Sequence, residues 1–219
     1  KPLLPYLIFS ALVILVSLVT NTIFSKIVKT PTNVESVYIS ALILILVAEP
    51  TLNILWLAFI VQTSKYLLAI NKKHIFNPVA IALVISGSAS WWISNIYSLP
   101  IVVIGGLLIM RKLRKSEMIL VFLLVAISVL LLNGHSLRGY ILNYSILFFA
   151  FVMLTEPLTS PTSRLKKIIY GSFVGILFSQ KSISPEMALV IGNVFAYLVS
   201  SRDKLILTFK QKIELAPNI

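Results

Sequence analysis

Two glutamates, each followed by a proline at the end of an apolar run, are the residues of this chain best suited to chemistry. Glu156-Pro157 lies in the segment Thr-Glu-Pro-Leu-Thr-Ser-Pro at 155–161, and Glu49-Pro50 lies 107 residues earlier. Proline breaks a helix, so each carboxylate is expected beside the negatively polarised end of the preceding helix. Such a carboxylate either binds a cation or proton or simply marks a helix end, and the pattern leaves both interpretations open.

A second pair of polar residues precedes prolines at the start of later apolar runs. Asn77-Pro78 begins one run, and Ser184-Pro185 followed by Glu186 begins another. Each of these prolines lies 28 residues after the proline of a glutamate pair. Asn or Ser before Pro is typical of a helix N-cap and first helical residue. The amides of such a helix start either hold a phosphate or carboxylate or are satisfied by capping alone.

The composition is that of an integral membrane protein. Of the 219 residues, 58% are hydrophobic and 12% are charged, and the mean hydropathy is +0.97, whereas soluble domains carry about 25% charged residues. Helices are the expected spanning elements, because they satisfy their own backbone hydrogen bonds. The absence of cysteine excludes iron–sulfur ligation and thiol catalysis in this chain, and His74 and His135 are too few for bis-histidine haem pairs. The formal net charge of +12 comes mainly from basic residues in short loops, a pattern that disfavours nucleic-acid binding.

Apolar runs predict an all-α membrane fold with about nine spans. Several runs are shorter than the roughly 20 residues that a lone spanning helix needs. We expect these shorter runs to be half-helices or helices shielded by protein. The runs are 4–24, 38–48, 53–70, 76–93, 97–110, 117–133, 141–155, 167–179 and 185–200.

The loops between these runs differ in charge. Thirteen Lys and Arg residues fall on one side of the predicted topology and three on the other, which places the first side in the cytoplasm. The C-terminus is then cytoplasmic, and the expected location is the inner (plasma) membrane of a bacterial-type cell. Lys65 falls near the cytoplasmic end of a run and is expected to snorkel toward the lipid headgroups.

The spacing of the glutamate–proline pairs indicates an internal repeat. A shift of 107 residues superposes the four runs of residues 117–200 on the four runs of residues 4–93. Five predicted crossings separate Glu49 from Glu156, so the two copies face opposite ways, with Glu49 outside and Glu156 inside. Such an inverted-topology repeat places a site near the midplane, between two halves. The first run of the second copy has no partner in the first copy, which predicts a further helix before Lys1 and ten spans in all.

Residues 201–219 form a cytoplasmic tail of different character. Several residues within 204–213 alternate between apolar and polar, which is the period of a strand. We expect a strand that pairs with another part of the protein or begins a soluble domain.

Small and aromatic residues add two structural expectations. Gly171 and Gly175 have the spacing of a close helix–helix contact. Trp91, Trp92 and Tyr97 bracket the outer end of a predicted hairpin, where they would form an aromatic belt or stack on a planar ring.

Three segments resemble the NqrB/RnfD family, the membrane subunits of the sodium-pumping NADH:quinone oxidoreductase and of the Rnf complex. Residues 155–161, with the Ile-Tyr-Gly-x-x-x-Gly of 169–175, resemble its DPVTSP and IYG motifs. The Phe-Asn-Pro-Val-Ala of 76–80 resembles its FNPA motif, and residues 36–44 resemble one of its helices. The resemblance covers roughly residues 4–200 and implies a ten-helix membrane domain with an inverted repeat.

The tail resembles the opening strand of a ferredoxin–NADP reductase-type domain. This resemblance implies a C-terminal domain in which FAD takes electrons from NAD(P)H and passes them to the membrane domain. The family attaches FMN covalently to the Thr of a Ser-Gly-Ala-Thr-Pro motif, whereas residues 86–90 here are Ser-Gly-Ser-Ala-Ser. This departure leaves three alternatives: FMN or riboflavin held without a covalent bond, a quinone, or no cofactor in this domain.

The function implied by the resemblance is electron transfer through the membrane domain to a quinone or another acceptor, coupled to Na+ or H+ movement. One alternative is a transporter or channel for a small solute that uses the same repeat, and another is a membrane anchor for the reductase domain. The expected ion or proton path contains Glu49, Glu156 and Glu186. The expected cofactor-binding residues are Asn77, Pro78, Glu156, Pro157, Thr159 and Ser184.

Overall fold

Most of the chain is helical in the computed structural model, which describes residues 3–70, 73–87, 89, 91, 97–134 and 145–214. A π-helix, Phe149–Met153, directly follows the short helix Ser145–Phe148. Strands β1 (Ala69–Ile70) and β2 (Lys73–His74) pair as a two-stranded antiparallel hairpin. The helices are α1 (Leu3–Val28), α2 (Val34–Val47), α3 (Asn53–Leu67), α4 (Pro78–Ser86), α5 (Leu99–Leu113), α6 (Ser116–Leu132), α7 (Ser145–Phe148), α8 (Arg164–Phe178) and α9 (Pro185–Glu214).

The predicted helical class is confirmed, and the described helices differ in length. Among the described residues, one helix, Tyr6–Val28, is long and apolar enough to cross a membrane, with a mean hydropathy of 2.3. The apolar helices α2 and α6 have 14 and 17 residues, or about 21 and 26 Å. Both are shorter than a hydrocarbon core of about 30 Å, and the nine spans stay a prediction.

The run at 76–93 contains a much shorter helix than predicted. It forms α4, which ends at Ser86 because Gly87 adopts a left-handed conformation with φ of 63°. Glycine enters this conformation without the steric cost of a side chain and commonly ends helices. Beyond it, Ala89 pairs with Ala48 in a single β-bridge, so the chain turns onto the end of α2.

The strand predicted for residues 204–213 is wrong, because α9 continues to Glu214. Leu205, Phe209 and Ile213 lie four residues apart, which is typical of one face of a helix. The same stretch is therefore compatible with both a helix and a strand by its pattern alone. The reductase domain implied by the resemblance stays a prediction.

Two sets of helices pack in the same order. In the first set α1 packs along α3 and α3 packs against α4, and in the second α6 packs along α8 and α8 packs against α9. The last helices of the two sets, α4 and α9, contact each other. Helix α5 lies against α7 and the π-helix of the second set.

The tightest backbone approach in the second set lies where α8 crosses α6. A Cβ atom on Gly171 would lie 2.5 Å from the carbonyl oxygen of Met118, and one on Gly175 would lie 3.0 Å from that of Phe122. Only glycine leaves room for backbones at this separation. The predicted helix-packing motif is confirmed.

Candidate functional site

A cavity of about 420 Å³ lies between α2, α4, α5 and the turn at residues 155–161 that follows the π-helix. We call this turn the Glu156 corner and the cavity the Glu156 cavity. Its size is that of a small-molecule site, since ligand pockets span about 300–1,000 Å³. Exposed Lys112 and Glu35 contribute to its lining. Its polar lining also includes Ser36, Ser40, Lys65, His74, Asn77 and Glu156, and its apolar lining includes Ile39, Ile43, Ile109, Leu113 and Val152.

Both carboxylate oxygens of Glu156 have partners. His74 Nε2 lies 2.9 Å from Oε1, and Thr159 Oγ1 donates to Oε2 at 3.3 Å. The side chain of His74 is 9% exposed and that of Glu156 is 21% exposed. The hairpin between α3 and α4 brings His74 to this position, at the C-terminal end of β2. The carboxylate is therefore held in one orientation at the edge of the cavity.

The corner that carries Glu156 is fixed by a buried lysine. Lys115 Nζ donates to Ser160 Oγ at 2.7 Å and to the carbonyl oxygen of Pro161 at 2.8 Å. Ser160 Oγ in turn donates to the carbonyl oxygen of Glu156 at 2.6 Å. Lys115 contributed to the predicted cytoplasmic charge, and the structure gives it a second role as a tie between α5, α6 and the corner.

Asn77 caps α4 as predicted. Its Oδ1 accepts hydrogen bonds from the amides of Val79 and Ala80 at 3.1 and 3.0 Å. Pro78 has no amide hydrogen, and the amides of Val79 and Ala80 are occupied by the cap. None of these three residues therefore has a backbone donor left to bind an anion. Pro78 itself lines the Glu156 cavity.

Asn193 connects the two sets of helices behind the cavity. Its Oδ1 accepts from the backbone amide of Asn77 at 2.8 Å. Its Nδ2 donates to the carbonyl oxygen of Thr159 at 3.4 Å and to the Tyr170 hydroxyl at 3.1 Å. These contacts fix the crossing of α4 and α9 beside the Glu156 corner.

The ammonium group of Lys65 contacts oxygen atoms of α2 and does not extend toward lipid headgroups. Its Nζ donates to the carbonyl oxygen of Ser36 at 2.8 Å, to Ser36 Oγ at 3.1 Å and to Ser40 Oγ at 2.8 Å. The predicted snorkelling is wrong in this respect, because three oxygens within reach satisfy the ammonium locally. The charge lies in the wall of the Glu156 cavity.

The remaining predicted residues lie toward the C-terminal end of α2, a helix about 21 Å long whose N-terminal part lines the Glu156 cavity. Glu49 is exposed and lines a second cavity of about 460 Å³ together with Thr51, which we call the Glu49 cavity. Glu186 is 4% exposed and accepts a hydrogen bond from Trp91 Nε1 at 2.6 Å. Ser184 is exposed and caps α9 through the amide of Met187 at 3.2 Å, as predicted.

Trp91 belongs to the core rather than to an aromatic belt. Its ring centroid lies 6.3 Å from that of Phe148 and 6.4 Å from that of Phe149. Tyr97 is exposed, and Trp92 lies outside the described residues. Trp91 does not line the Glu156 cavity, so the predicted stacking on a planar ring has no support there.

The structure thus brings most of the predicted cofactor residues together and adds others that the sequence analysis did not assign to a site. Lys65 and Asn193 are isolated polar residues within apolar runs, and this signal could have identified both. His74 lies in a basic loop and carries no distinct signal. The predicted residues at the Glu156 cavity are Asn77, Pro78, Glu156, Pro157 and Thr159, and those away from it are Ser184, Glu49 and Glu186.

Comparison with protein-family models and with curated proteins returns no match for this chain. The resemblance to the NqrB/RnfD family stays a prediction. Within the described ranges no group of three or more His, Asp or Glu side chains is arranged to hold a metal ion.

Proposed function

We propose that this chain is the membrane domain of an electron-transfer protein of NqrB/RnfD type that holds FMN or riboflavin non-covalently in the Glu156 cavity. The observation that carries the proposal is the cavity itself. It has the volume of a cofactor site, apolar walls on two helices and the hydrogen-bonded His74–Glu156 pair at its edge. Ligand sites commonly combine apolar walls with a few placed polar groups in this way.

The residues present fit a flavin. An isoalloxazine ring has flat, largely apolar faces, and Ile39, Ile43 and Ile109 provide apolar surface of that kind. The ring also has polar atoms along its edge, for which the His74–Glu156 pair offers a donor and an acceptor. Lys112 offers a cation for the phosphate of FMN.

A bound flavin would accept electrons from an NAD(P)H-dependent reductase and pass them on toward a quinone or another acceptor. The residues of this chain would bind and orient it. Lys115 and Ser160 keep the Glu156 corner in place, and the Asn77–Asn193 contact keeps α4 and α9 in register. Such positioning fixes the distance over which electrons pass.

The same proposal includes an inverted-topology repeat in a multi-pass inner-membrane protein. Two features support it: the identical packing order of the two sets of helices, and the location of the two glutamate–proline corners at opposite ends of α2. Lys112, near the end of α5, lines the Glu156 cavity, and it belongs to a basic loop that the charge pattern assigns to the cytoplasm, which supports a cytoplasmic opening. Short helices are compatible with a membrane where neighbouring protein shields their ends.

The visible absorbance spectrum of the purified chain tests the proposal. We expect flavin bands in the spectrum and release of the flavin by acid, since no covalent bond is proposed. Ile109→Trp fills the cavity and should abolish flavin binding. Ile104→Trp, on the exposed side of the same helix, should retain it. A wild-type protein that binds no flavin, or two variants that bind it equally, would contradict the proposal.

A solute transporter is the second candidate, and the Glu49 cavity favours it. A cavity lies at each end of α2 beside a glutamate–proline corner, and the pair would give a solute access from either side to a site between the two repeats. Proteoliposomes without flavin that accumulate a labelled solute, and lose this uptake in Glu156→Gln, would support transport over electron transfer.

A further inference from the structure

The ammonium group of Lys65 occupies a small site made of neutral oxygens. It has three acceptors, one backbone carbonyl and two hydroxyls, at 2.8, 3.1 and 2.8 Å. A lysine ammonium has three N–H donors, so this set satisfies it completely. Among the described residues no carboxylate lies within ion-pair distance of it, and its three hydrogen-bond acceptors are all neutral oxygens.

These oxygens are also the ligands that a small monovalent cation takes in a membrane protein. Carbonyl and hydroxyl oxygens of interrupted helices coordinate Na+ near the middle of transporter folds. Gln62 adds a further oxygen to the surroundings. Its Nε2 donates to Ser40 Oγ at 3.0 Å, and its Oε1 is buried without a hydrogen-bond partner among the described residues.

The charge of Lys65 has a counterpart across the same cavity. Glu156 lines the Glu156 cavity together with Lys65. The side chain of Glu156 is 21% exposed, and a carboxylate that is partly withdrawn from water is costly unless a positive charge lies near it. His74 compensates Glu156 only when the imidazole is protonated, whereas Lys65 adds a second cationic side chain to the lining of the same cavity.

We propose that Lys65 is a built-in cation that takes the place of a Na+ ion in the Glu156 cavity. The chain then needs no Na+ to balance Glu156, and its ligand binding is independent of Na+. Removing the lysine side chain leaves the oxygens of Ser36 and Ser40 in place and creates a Na+ site. The inference rests on the same cavity as the proposed function, but it requires no flavin.

The test is the melting temperature of the purified protein in NaCl and in choline chloride of equal ionic strength. The wild-type protein should melt at the same temperature in both salts. Lys65→Ala should melt several degrees higher in NaCl once Na+ exceeds its dissociation constant about tenfold, since a ligand that binds the folded state stabilises it. Lys65→Met removes the charge but fills the space, and should show no Na+ effect.

Lys112→Ala is the matched control, because it removes a positive charge from the lining of the same cavity and exposes no oxygen cluster. Its melting temperature should be the same in NaCl and in choline chloride. A folded Lys65→Ala protein without a Na+ effect would overturn the inference, as would a wild-type protein that Na+ stabilises over choline.

If Lys65→Ala fails to fold in choline but folds in NaCl, the inference is supported. If it folds in neither salt, Lys65→Ser is measured in its place with the same two outcomes. Should that variant also fail to fold, the wild-type comparison decides. Flavin binding is measured separately, so either proposal can fail alone.

Discussion

The two glutamate–proline corners share a sequence pattern but differ in what surrounds them. At Glu156 both carboxylate oxygens have partners, and the following residues are tied down through Ser160 and Lys115. Glu49 is exposed, and the turn after it is closed by the amide of Thr51, which donates to the carbonyl oxygen of Glu49 at 2.8 Å. A repeated motif marks a repeated turn, and the neighbouring residues decide which copy becomes a site.

The helices before the two corners differ in the same way. On α2 the buried residues form one stripe, Val37, Ala41 and Leu44 among them, while Leu42 is 51% exposed. The corresponding segment of α7 and the π-helix is buried on nearly all sides, and Phe149 is 0% exposed. Helix α5 packs against this segment, whereas the face of α2 that carries Leu42 is exposed.

Truncation at these two helices should show the largest difference. Phe149→Ala should lower the free energy of unfolding by about 3–5 kcal/mol, because it opens a cavity against α6 and α8. Leu42→Ala removes an exposed side chain and should change it by less than about 0.5 kcal/mol. Denaturant unfolding in detergent micelles measures both. Equal losses would show that the exposed face of α2 is as well packed as its counterpart.

Glycine replacement compares a close helix contact with an open helix surface. Gly171→Ala places a Cβ against the backbone of α6 and should lower the free energy of unfolding by about 1–3 kcal/mol. A Cβ atom on Gly105 would meet none of the described residues within 4 Å, so Gly105→Ala should raise it by up to about 1 kcal/mol through helix propensity. Thermal melting of the two variants checks the opposite signs, and a stabilising Gly171→Ala would refute the close contact.

The parts of the fold that local chemistry determines could be predicted from the sequence. The caps at Asn77 and Ser184 and the glycine contact at Gly171 follow from residue type and spacing. The strand expected for residues 204–213 failed, because a short alternating stretch contains a four-residue spacing as well. Local period alone does not decide between a strand and a helix of that length.

The candidate site could be predicted only in part. Glu156 and Thr159 lie close together in sequence, and the contact between them follows from that proximity. His74 is 82 residues from Glu156, and no single-sequence pattern pairs them. Lys65 points toward α2 because oxygens of that helix are within its reach, which hydropathy does not encode.

Titration of the purified protein with FMN tests the central claim most directly, with Glu156→Gln and Glu49→Gln as a matched pair. Both variants remove one carboxylate from a glutamate–proline corner. Glu156→Gln should weaken FMN binding at least about tenfold, as hydrogen bonds to charged groups contribute about 1.5–3 kcal/mol, and Glu49→Gln should bind as wild type. Equal affinities in the two variants, or a stronger loss in Glu49→Gln, would contradict the assignment of the site to the Glu156 cavity.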